Sequence, residues 1–212
     1  MAWVAAEGVV AKETQMDRGL QEYYNRILFF KRFCYDLPRS RKLIVNITKI
    51  AKGTVLEVGC GKGHTAIALA NKKISFTAID IDKNVLKIAR HNLKALGLLK
   101  YVKLMRMNAE KLRFRDRAFT NVISVNFIHH AKNPKKCIKE MIRVVAGKKI
   151  IIADFNKTGE KVMDNIHRAE GRKHEKTKIS MIKVKRILEK SCFKVKKYRD
   201  KCHMIYVAWK GQ

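Results

Sequence analysis

The sequence has little proline, few acidic residues and no long hydrophobic run. Only two of its 212 residues are proline and 47% are hydrophobic, which excludes a collagen-like chain and an intrinsically disordered one. No apolar run approaches the roughly 20 residues that cross a bilayer, and residues 1–11 have no basic stretch of the kind that begins a signal peptide. These absences predict a soluble domain with a sizeable core and no membrane span.

Paired cysteines and metal-binding motifs are also absent. The chain has five cysteines, an odd number, with no CxxC pair, and its seven histidines show no HExxH pattern. A disulfide framework and a zinc site are therefore not expected, and we predict no metal. Scattered thiols that stay reduced favour a cytoplasmic protein.

Acidic residues are scarce, so the charge is strongly positive. There are 48 Lys and Arg against 18 Asp and Glu, a net charge of +30, and residues 83–109 contain no acidic residue. A charge of this size favours polyanionic partners such as RNA. Basic residues spread along the whole chain, however, are typical of a solvated surface, and such an excess can be engineered or compositional. The charge alone leaves both interpretations open.

The N-terminal region reads as an extension followed by a helical cap. Residues 1–15 are predicted to be weakly structured, and residues 16–212 to form one domain. Apolar residues at helical spacing predict a helix over 17–34, ended by Pro38, and a second helix over 40–51. The cap would therefore cover residues 16–52.

From residue 54 onward, buried strands alternate with helices. The predicted strands are 54–58, 75–79, 101–107, 121–125 and 149–155, and the predicted helices are 64–70, 83–96 closed by Gly97, and 135–145 closed by Gly147. This alternation indicates a doubly wound parallel sheet. Residues 157–179 have no clear assignment. A helix over 180–190 precedes strands 193–198 and 204–209, which are close enough to pair only as an antiparallel hairpin. The sequence thus predicts an α/β fold with a mostly parallel, seven-stranded sheet.

A glycine loop with two nearby carboxylates marks the candidate site. Gly59, Gly61 and Gly63 directly follow the first strand, where glycine lets the backbone turn sharply and approach a ligand. Nicotinamide and flavin enzymes use similar turns, so the loop alone is a weak signal. Glu57 lies inside the strand, where a dinucleotide fold favours an apolar residue. Asp80 ends the second strand, where a carboxylate can accept two ribose hydroxyls.

Several segments follow the pattern of one known family: residues 57–63, 78–82, 108–114, 119–130, and 139–144 with 150–153. They resemble the class I S-adenosylmethionine-dependent methyltransferases, in the small-molecule "type 11" subgroup that includes quinone-biosynthesis enzymes. The resemblance implies a Rossmann-like methyltransferase fold, S-adenosyl-L-methionine as cofactor, and in-line methyl transfer to a small-molecule or lipid-like acceptor. Two alternatives remain: a tRNA or rRNA methyltransferase that uses the basic surface, and a catalytically retired basic binding protein on the same fold.

The resemblance also implies a set of cofactor-binding residues: Glu57, Gly59, Cys60, Gly61, Gly63, Asp80, Ile81, Asn108, Ala109 and Asn126. The glycines would wrap the methionine portion and Glu57 would hold its amino end. Asp80 would bind the ribose, Ile81 would pack on adenine, and Asn108 would bond to the adenine edge. His129 and His130 follow the fourth strand on the acceptor side, so they are candidates for a general base or for shaping the pocket.

Three residues depart from the family pattern, and three others are expected to have packing roles. Asn108 and Thr120 stand where the family commonly has Asp, and Arg115 stands where it has an apolar residue or proline. Cys60 is expected to be a small packed residue, although the nearby helix N-terminus could lower its pKa. The tyrosines of the first helix, 23 and 24, are expected on its buried face. The acceptor, the methylated atom and the oligomeric state stay open.

Overall fold

A computed structural model describes residues 18–50, 53–173 and 179–211. Its strands are β1 Val55–Val58, β2 Phe76–Asp80, β3 Val102–Arg106, β4 Phe119–Val125, β5 Val145–Phe155, β6 Phe193–Arg199 and β7 His203–Lys210. They form one sheet in the order β3-β2-β1-β4-β5-β7-β6. Strands β1 to β5 pair in parallel, whereas β7 is antiparallel to both β5 and β6. The predicted sheet and its C-terminal hairpin are confirmed, while the extension predicted over residues 1–15 lies outside the described residues.

Helices cover both faces of the sheet. They are α1 Arg18–Arg32, α2 Leu37–Thr48, α3 His64–Ala70, α4 Lys83–Ala95, α5 Pro134–Val144, α6 Lys157–Ala169 and α7 Met181–Lys190. Helices α1 to α4 pack on one hydrophobic core, and α5 and α7 pack on the core of the opposite face. A smaller cluster joins the α1–α2 connection to α6. Within the described ranges, no helix is long and apolar enough to cross a membrane.

The N-terminal helices differ from the prediction in their bounds. Pro38 does not end the first helix, because α1 already ends at Arg32 and Pro38 lies in the first turn of α2. A helix tolerates proline there, since the backbone N–H groups of its first turn have no partner within the helix. The Asp36 side chain caps α2 by accepting from the backbone N–H of Arg39 at 3.0 Å.

Strand β5 begins earlier than predicted. The helix expected to reach residue 145 ends at Val144, and β5 starts at the next residue. Gly147, expected to close the helix, instead has φ +79° inside the strand, where the register with β4 shifts. Such an irregularity inserts extra residues and bends the strand, which explains why glycine stands there.

Helix α6 lies within residues 157–179, where the sequence pattern predicts no element. The side chain of Asn156 caps it by accepting from the backbone N–H of Gly159 at 3.0 Å. Met163 and Ile166 form its buried face, a stripe too narrow to stand out among charged residues.

The carboxyl edge of the sheet gathers the polar residues of interest. Parallel strands β1, β2, β4 and β5 all end there, at the position where open α/β sheets bind ligands. The antiparallel strand β7 starts at the same edge, since His203 pairs with Phe155 at the end of β5.

Candidate active site

The glycine loop after β1 leaves room for a ligand at its centre. Gly59, Gly61 and Gly63 have φ of +77°, +51° and +86°, a region that side chains disfavour. A Cβ added at Gly61 would meet no heavy atom within 4 Å, whereas one at Gly59 would overlap the ring of Phe127. The backbone is therefore open at Gly61 and closely covered at Gly59.

Glu57 is a buried carboxylate with an unsatisfied oxygen. Its exposure is 1%, and among the described residues its Oε2 has no hydrogen-bond partner. Burial raises its pKa to about 8; the positive charge of Arg41 opposes that rise and the charge of Asp80 adds to it. An uncompensated buried carboxylate is costly unless a cation joins it. Glu57 therefore fits a ligand with an ammonium group.

Asp80 is held rigidly at the end of β2. Its Oδ2 accepts from the backbone N–H of Gly61 at 2.8 Å, and its Oδ1 accepts from that of Asp82 at 3.1 Å. Each carboxylate oxygen can accept a further hydrogen bond. The two oxygens can therefore still receive a pair of hydroxyl groups.

A cavity of about 370 Å³ lies next to Asp80. Five of the predicted cofactor-binding residues line it: Gly59, Asp80, Ile81, Asn108 and Ala109. The Ile81 side chain is 56% exposed, an apolar surface on which a flat ring can pack. The Asn108 Oδ1 accepts from the backbone N–H of Glu110 at 2.9 Å, which fixes this side chain at the cavity wall.

Cys60 is packed, as expected, but its thiol is not activated. It is 6% exposed, and burial raises its pKa, with the charges of Glu57 and Asp80 adding to the effect. The suggestion that the helix N-terminus lowers this pKa is wrong, because two carboxylates and the loss of solvent outweigh it.

Arg41 was missed by the sequence analysis. It lies on α2, is 6% exposed, and donates to the Tyr35 hydroxyl at 3.0 Å. Its positive charge opposes the rise in the pKa of Glu57. Burial lowers the pKa of His64 and of His203, and the charge of Arg41 adds to both shifts. One arginine among 48 basic residues gives no signal in the sequence.

His129 and Asp154 form a hydrogen-bonded pair. His129 belongs to the 3₁₀ turn Ile128–His130 after β4, and its Nδ1 lies 2.5 Å from Asp154 Oδ1. Asp154 Oδ2 accepts from the backbone N–H of His129 at 3.1 Å, and Oδ1 from that of Phe155 at 2.9 Å. Asp154 was also missed, although, like Asp80, it comes at the end of a buried strand.

The two neighbouring histidines face different spaces. His130 lines the cavity beside Asp80, whereas His129 and Asp154 line a second cavity of about 510 Å³. The rings of His129 and His130 are close, with centroids 3.9 Å apart. The turn that carries both residues therefore separates the two cavities.

A second polar cluster lies beside this turn. Tyr35 Oη lies 3.2 Å from Nε2 of the fully buried His203, whose Nδ1 lies 3.0 Å from both carboxylate oxygens of Asp200. Asn126, with φ +53°, donates to the same Tyr35 hydroxyl at 3.5 Å, and its Oδ1 has no partner in the described residues. Asn126 thus links this cluster to the end of β4.

Other predicted residues lie apart from the site. Tyr23 is buried at 8% exposure, but Tyr24 is 41% exposed, so only one of the two is on the buried face. Thr120 donates to the carbonyl oxygen of Thr54 at 2.8 Å, at the edge of the sheet away from the glycine loop. Arg115 is an exposed loop residue.

Residues 56–153 match a family whose model is described as a methyltransferase domain of type 11. This segment of the chain is similar to a methyltransferase domain. The similarity implies S-adenosylmethionine as the cofactor. Three features of the site fit that molecule: the orphaned oxygen of Glu57, the open backbone at Gly61, and the carboxylate of Asp80, which can accept further hydrogen bonds. The resemblance inferred from the glycine loop is confirmed.

Individual methyltransferases match over part of their length. The chain is 31% identical over 105 residues to a phosphatidylethanolamine N-methyltransferase of Cereibacter sphaeroides, covering 49% of this chain and 51% of that protein. It is 26% identical over 130 residues to the ubiquinone/menaquinone biosynthesis C-methyltransferase UbiE of Pseudoalteromonas translucida, covering 54% and 51%. The chain thus spans about half the length of these two curated relatives.

Solved structures share the fold. A SAM-dependent methyltransferase of Aquifex aeolicus has a TM-score of 0.62 and 20% identity to this chain, covering 79% of this chain and 88% of that one. At this identity the likeness shows the methyltransferase fold alone.

Proposed function

We propose that this methyltransferase transfers a methyl group from S-adenosylmethionine to a small-molecule or lipid-like acceptor. One observation carries the proposal: the turn Ile128–His130 separates two cavities, with the cofactor-type residues in one and the His129–Asp154 pair in the other. Relatives named for phosphatidylethanolamine and for ubiquinone/menaquinone biosynthesis support an acceptor of this class.

Two opposite charges are arranged to bind the amino-acid end of the cofactor. Glu57 would hold the ammonium group, because its Oε2 is buried without a partner. Arg41 would bind the carboxylate, because its buried guanidinium donates a single hydrogen bond within the described residues, to Tyr35. A zwitterion satisfies both charges together, which removes the cost of burying each one alone.

The remaining cofactor contacts follow from the first cavity. Asp80 would accept hydrogen bonds from the ribose hydroxyls, and Ile81 would pack against adenine, with Asn108 at the adenine edge. The bound cofactor supplies a methyl group on a sulfonium, which needs no activation by a protein nucleophile. The protein has to position the acceptor in line and exclude water.

The His129–Asp154 pair would remove the acceptor proton. A proton on Nδ1 of His129 would be donated to the Asp154 carboxylate, and the neutral imidazole would then carry its lone pair on Nε2. Nε2 is buried, so a small movement of the Ile128–His130 turn would bring it to the acceptor. There it would take the proton from an acceptor oxygen or nitrogen as that atom bonds to the methyl carbon and the methyl–sulfur bond breaks, and Asp154 would stabilise the resulting imidazolium.

Formation of S-adenosylhomocysteine tests this proposal. The purified protein would be incubated with S-adenosylmethionine plus either the small-molecule fraction of a cell lysate, an organic extract, or total RNA. We expect product with the first or second addition and none with RNA. A Glu57→Ala/Asp80→Ala variant serves as the blank. Product formed only with RNA would overturn the proposed acceptor class and make the basic surface functional.

A further inference from the structure

The cavity that contains His129 and Asp154 has a distinctive chemical lining. It lies at the carboxyl edge of the sheet, beyond the ends of β5 and β6 and beside the first residues of α6 and α7. Its volume of about 510 Å³ is enough for a small organic molecule. We propose that this cavity binds an amphipathic anion, an apolar molecule that carries a carboxylate or phosphate group, as the methyl acceptor.

Apolar side chains line the inner wall of this cavity. Ile128, Val184 and Tyr206 are almost fully buried there, and Met181 and Met204 are partly buried beside them. Ile182 adds an isoleucine that is 63% exposed. Exposed and half-buried apolar surface of this kind favours a ligand with a hydrocarbon or aromatic body.

Three cations surround the apolar wall: Lys157, Lys197 and Arg199. Within the part of the chain that the structure describes, none of the three has a carboxylate within 4 Å. The cavity contains two carboxylates, Asp154, which is bonded to His129, and Glu160. With three cations against two carboxylates, the cavity favours an anionic end on its ligand.

The two cations on β6 face the cavity because of the strand's alternation. Phe193 and Val195 pack in the same hydrophobic core as the apolar wall, and Lys197 and Arg199 continue that face of the strand. The two intervening lysines, 194 and 196, belong to the opposite face. This strand therefore presents equal numbers of cations to the cavity and away from it, so the two pairs can be compared at constant net charge.

The assignment of this anion as the acceptor rests on the proposed methyl transfer, but its binding can be measured without any reaction. The chain would be labelled with ¹³C at its methionine methyl groups. Met181 and Met204 report on this cavity, and Met107 reports on the cavity beside Asp80. The probes are octanoate and octyl phosphate as amphipathic anions, octylammonium as a cation of similar length, and acetate as an anion without an apolar body.

We expect octanoate or octyl phosphate to shift Met181 and Met204 saturably, and octylammonium and acetate to leave them unchanged. Equal shifts with octylammonium, or no shift with either anion, would overturn the inference. Titration with S-adenosylhomocysteine should shift Met107. Failure of that titration would count against the cofactor site instead, so the two failures are distinguishable.

Two matched double variants distinguish the effect of the cations that face this cavity from the effect of the net charge of the protein. Lys197→Gln/Arg199→Gln should weaken binding of the anion by roughly tenfold or more, because hydrogen bonds from charged donors to an anion are stronger than neutral ones. Lys194→Gln/Lys196→Gln removes the same charge from the other face of β6 and should leave the affinity within about twofold. Equal weakening by both variants would show that the anion responds only to net charge, and would overturn the inference.

Discussion

The carboxylate of Asp154 holds both the imidazole and the backbone N–H of His129. The carboxylate lies 2.5 Å from Nδ1 and also accepts from the backbone N–H of His129, so the ring and the turn that carries it are held together. The side chains are 11% and 5% exposed. The imidazole is therefore held in one orientation at the wall of the second cavity, which is the basis for proposing His129 as the general base.

Replacing either member of the pair should slow methyl transfer without weakening cofactor binding. We expect His129→Asn and Asp154→Asn to lower kcat by roughly 10²–10⁴-fold, because a positioned general base contributes about that much. Binding of S-adenosylhomocysteine, measured by calorimetry, should change little. An unchanged kcat in both variants would assign His129 to shaping the cavity only.

Glu57 should make cofactor binding release a proton. Its pKa is about 8 in the folded protein, so the carboxyl is mostly protonated at pH 7, and an ammonium group brought beside it favours the ionised form. Calorimetry in buffers of different ionisation enthalpy should detect the released proton. We expect affinity to rise with pH up to about 8 and then to level off. Glu57→Gln should bind more weakly and release no proton; proton release equal to that of the wild type would contradict this assignment.

Glu57 should also make the folded protein less stable as pH rises, whereas it makes cofactor binding tighter. The folded pKa of about 8 is raised above the ordinary value of 4.5, so the stability linked to this carboxyl is present below pH 4.5 and is lost as pH rises to about 8. Without cofactor, the free energy of unfolding of Glu57→Gln should therefore gain on that of the wild type between pH 5 and 8. Urea denaturation at both pH values measures the difference, expected to be on the order of a few kcal/mol. A constant difference would contradict the raised pKa.

Arg41 should contribute to cofactor affinity. Arg41→Met removes a buried guanidinium, and we expect the Kd of S-adenosylhomocysteine to rise by about tenfold or more, since hydrogen bonds to charged groups are worth about 1.5–3 kcal/mol. Arg39→Met is the matched control, because Arg39 is exposed on the same helix. Binding of 5′-methylthioadenosine, which has no amino-acid end, should be similar in both variants. A loss of affinity for this shorter ligand as well would indicate a structural role for Arg41.

Asn108 should tolerate the residue that the family prefers. Its Oδ1 already accepts from the backbone N–H of Glu110, and Asp would retain that bond while offering a second acceptor to the adenine amino group. We expect Asn108→Asp to bind S-adenosylmethionine as tightly as the wild type or a few times more tightly. Weaker binding, measured by calorimetry, would show that this position depends on the amide.

The sheet and the glycine loop were predictable because their signals are local. Buried strands such as Ile150–Ile152 are continuous apolar runs, and the glycines with Glu57 and Asp80 stand at fixed distances from strand ends. Arg41 and His203 were not predictable, because they reach the site only through packing of the N-terminal helices and through the antiparallel return of β7. Helix α6 was missed because its polar sequence hides a narrow buried face.

Titration of the purified chain with S-adenosylmethionine by calorimetry tests whether the carboxyl edge around Glu57, Gly61 and Asp80 is the cofactor site. We expect one saturable site in the wild type and no measurable binding by the Glu57→Ala/Asp80→Ala variant, with circular dichroism showing that both proteins are folded. Absence of binding by the wild type, or equal binding by the double variant, would contradict it.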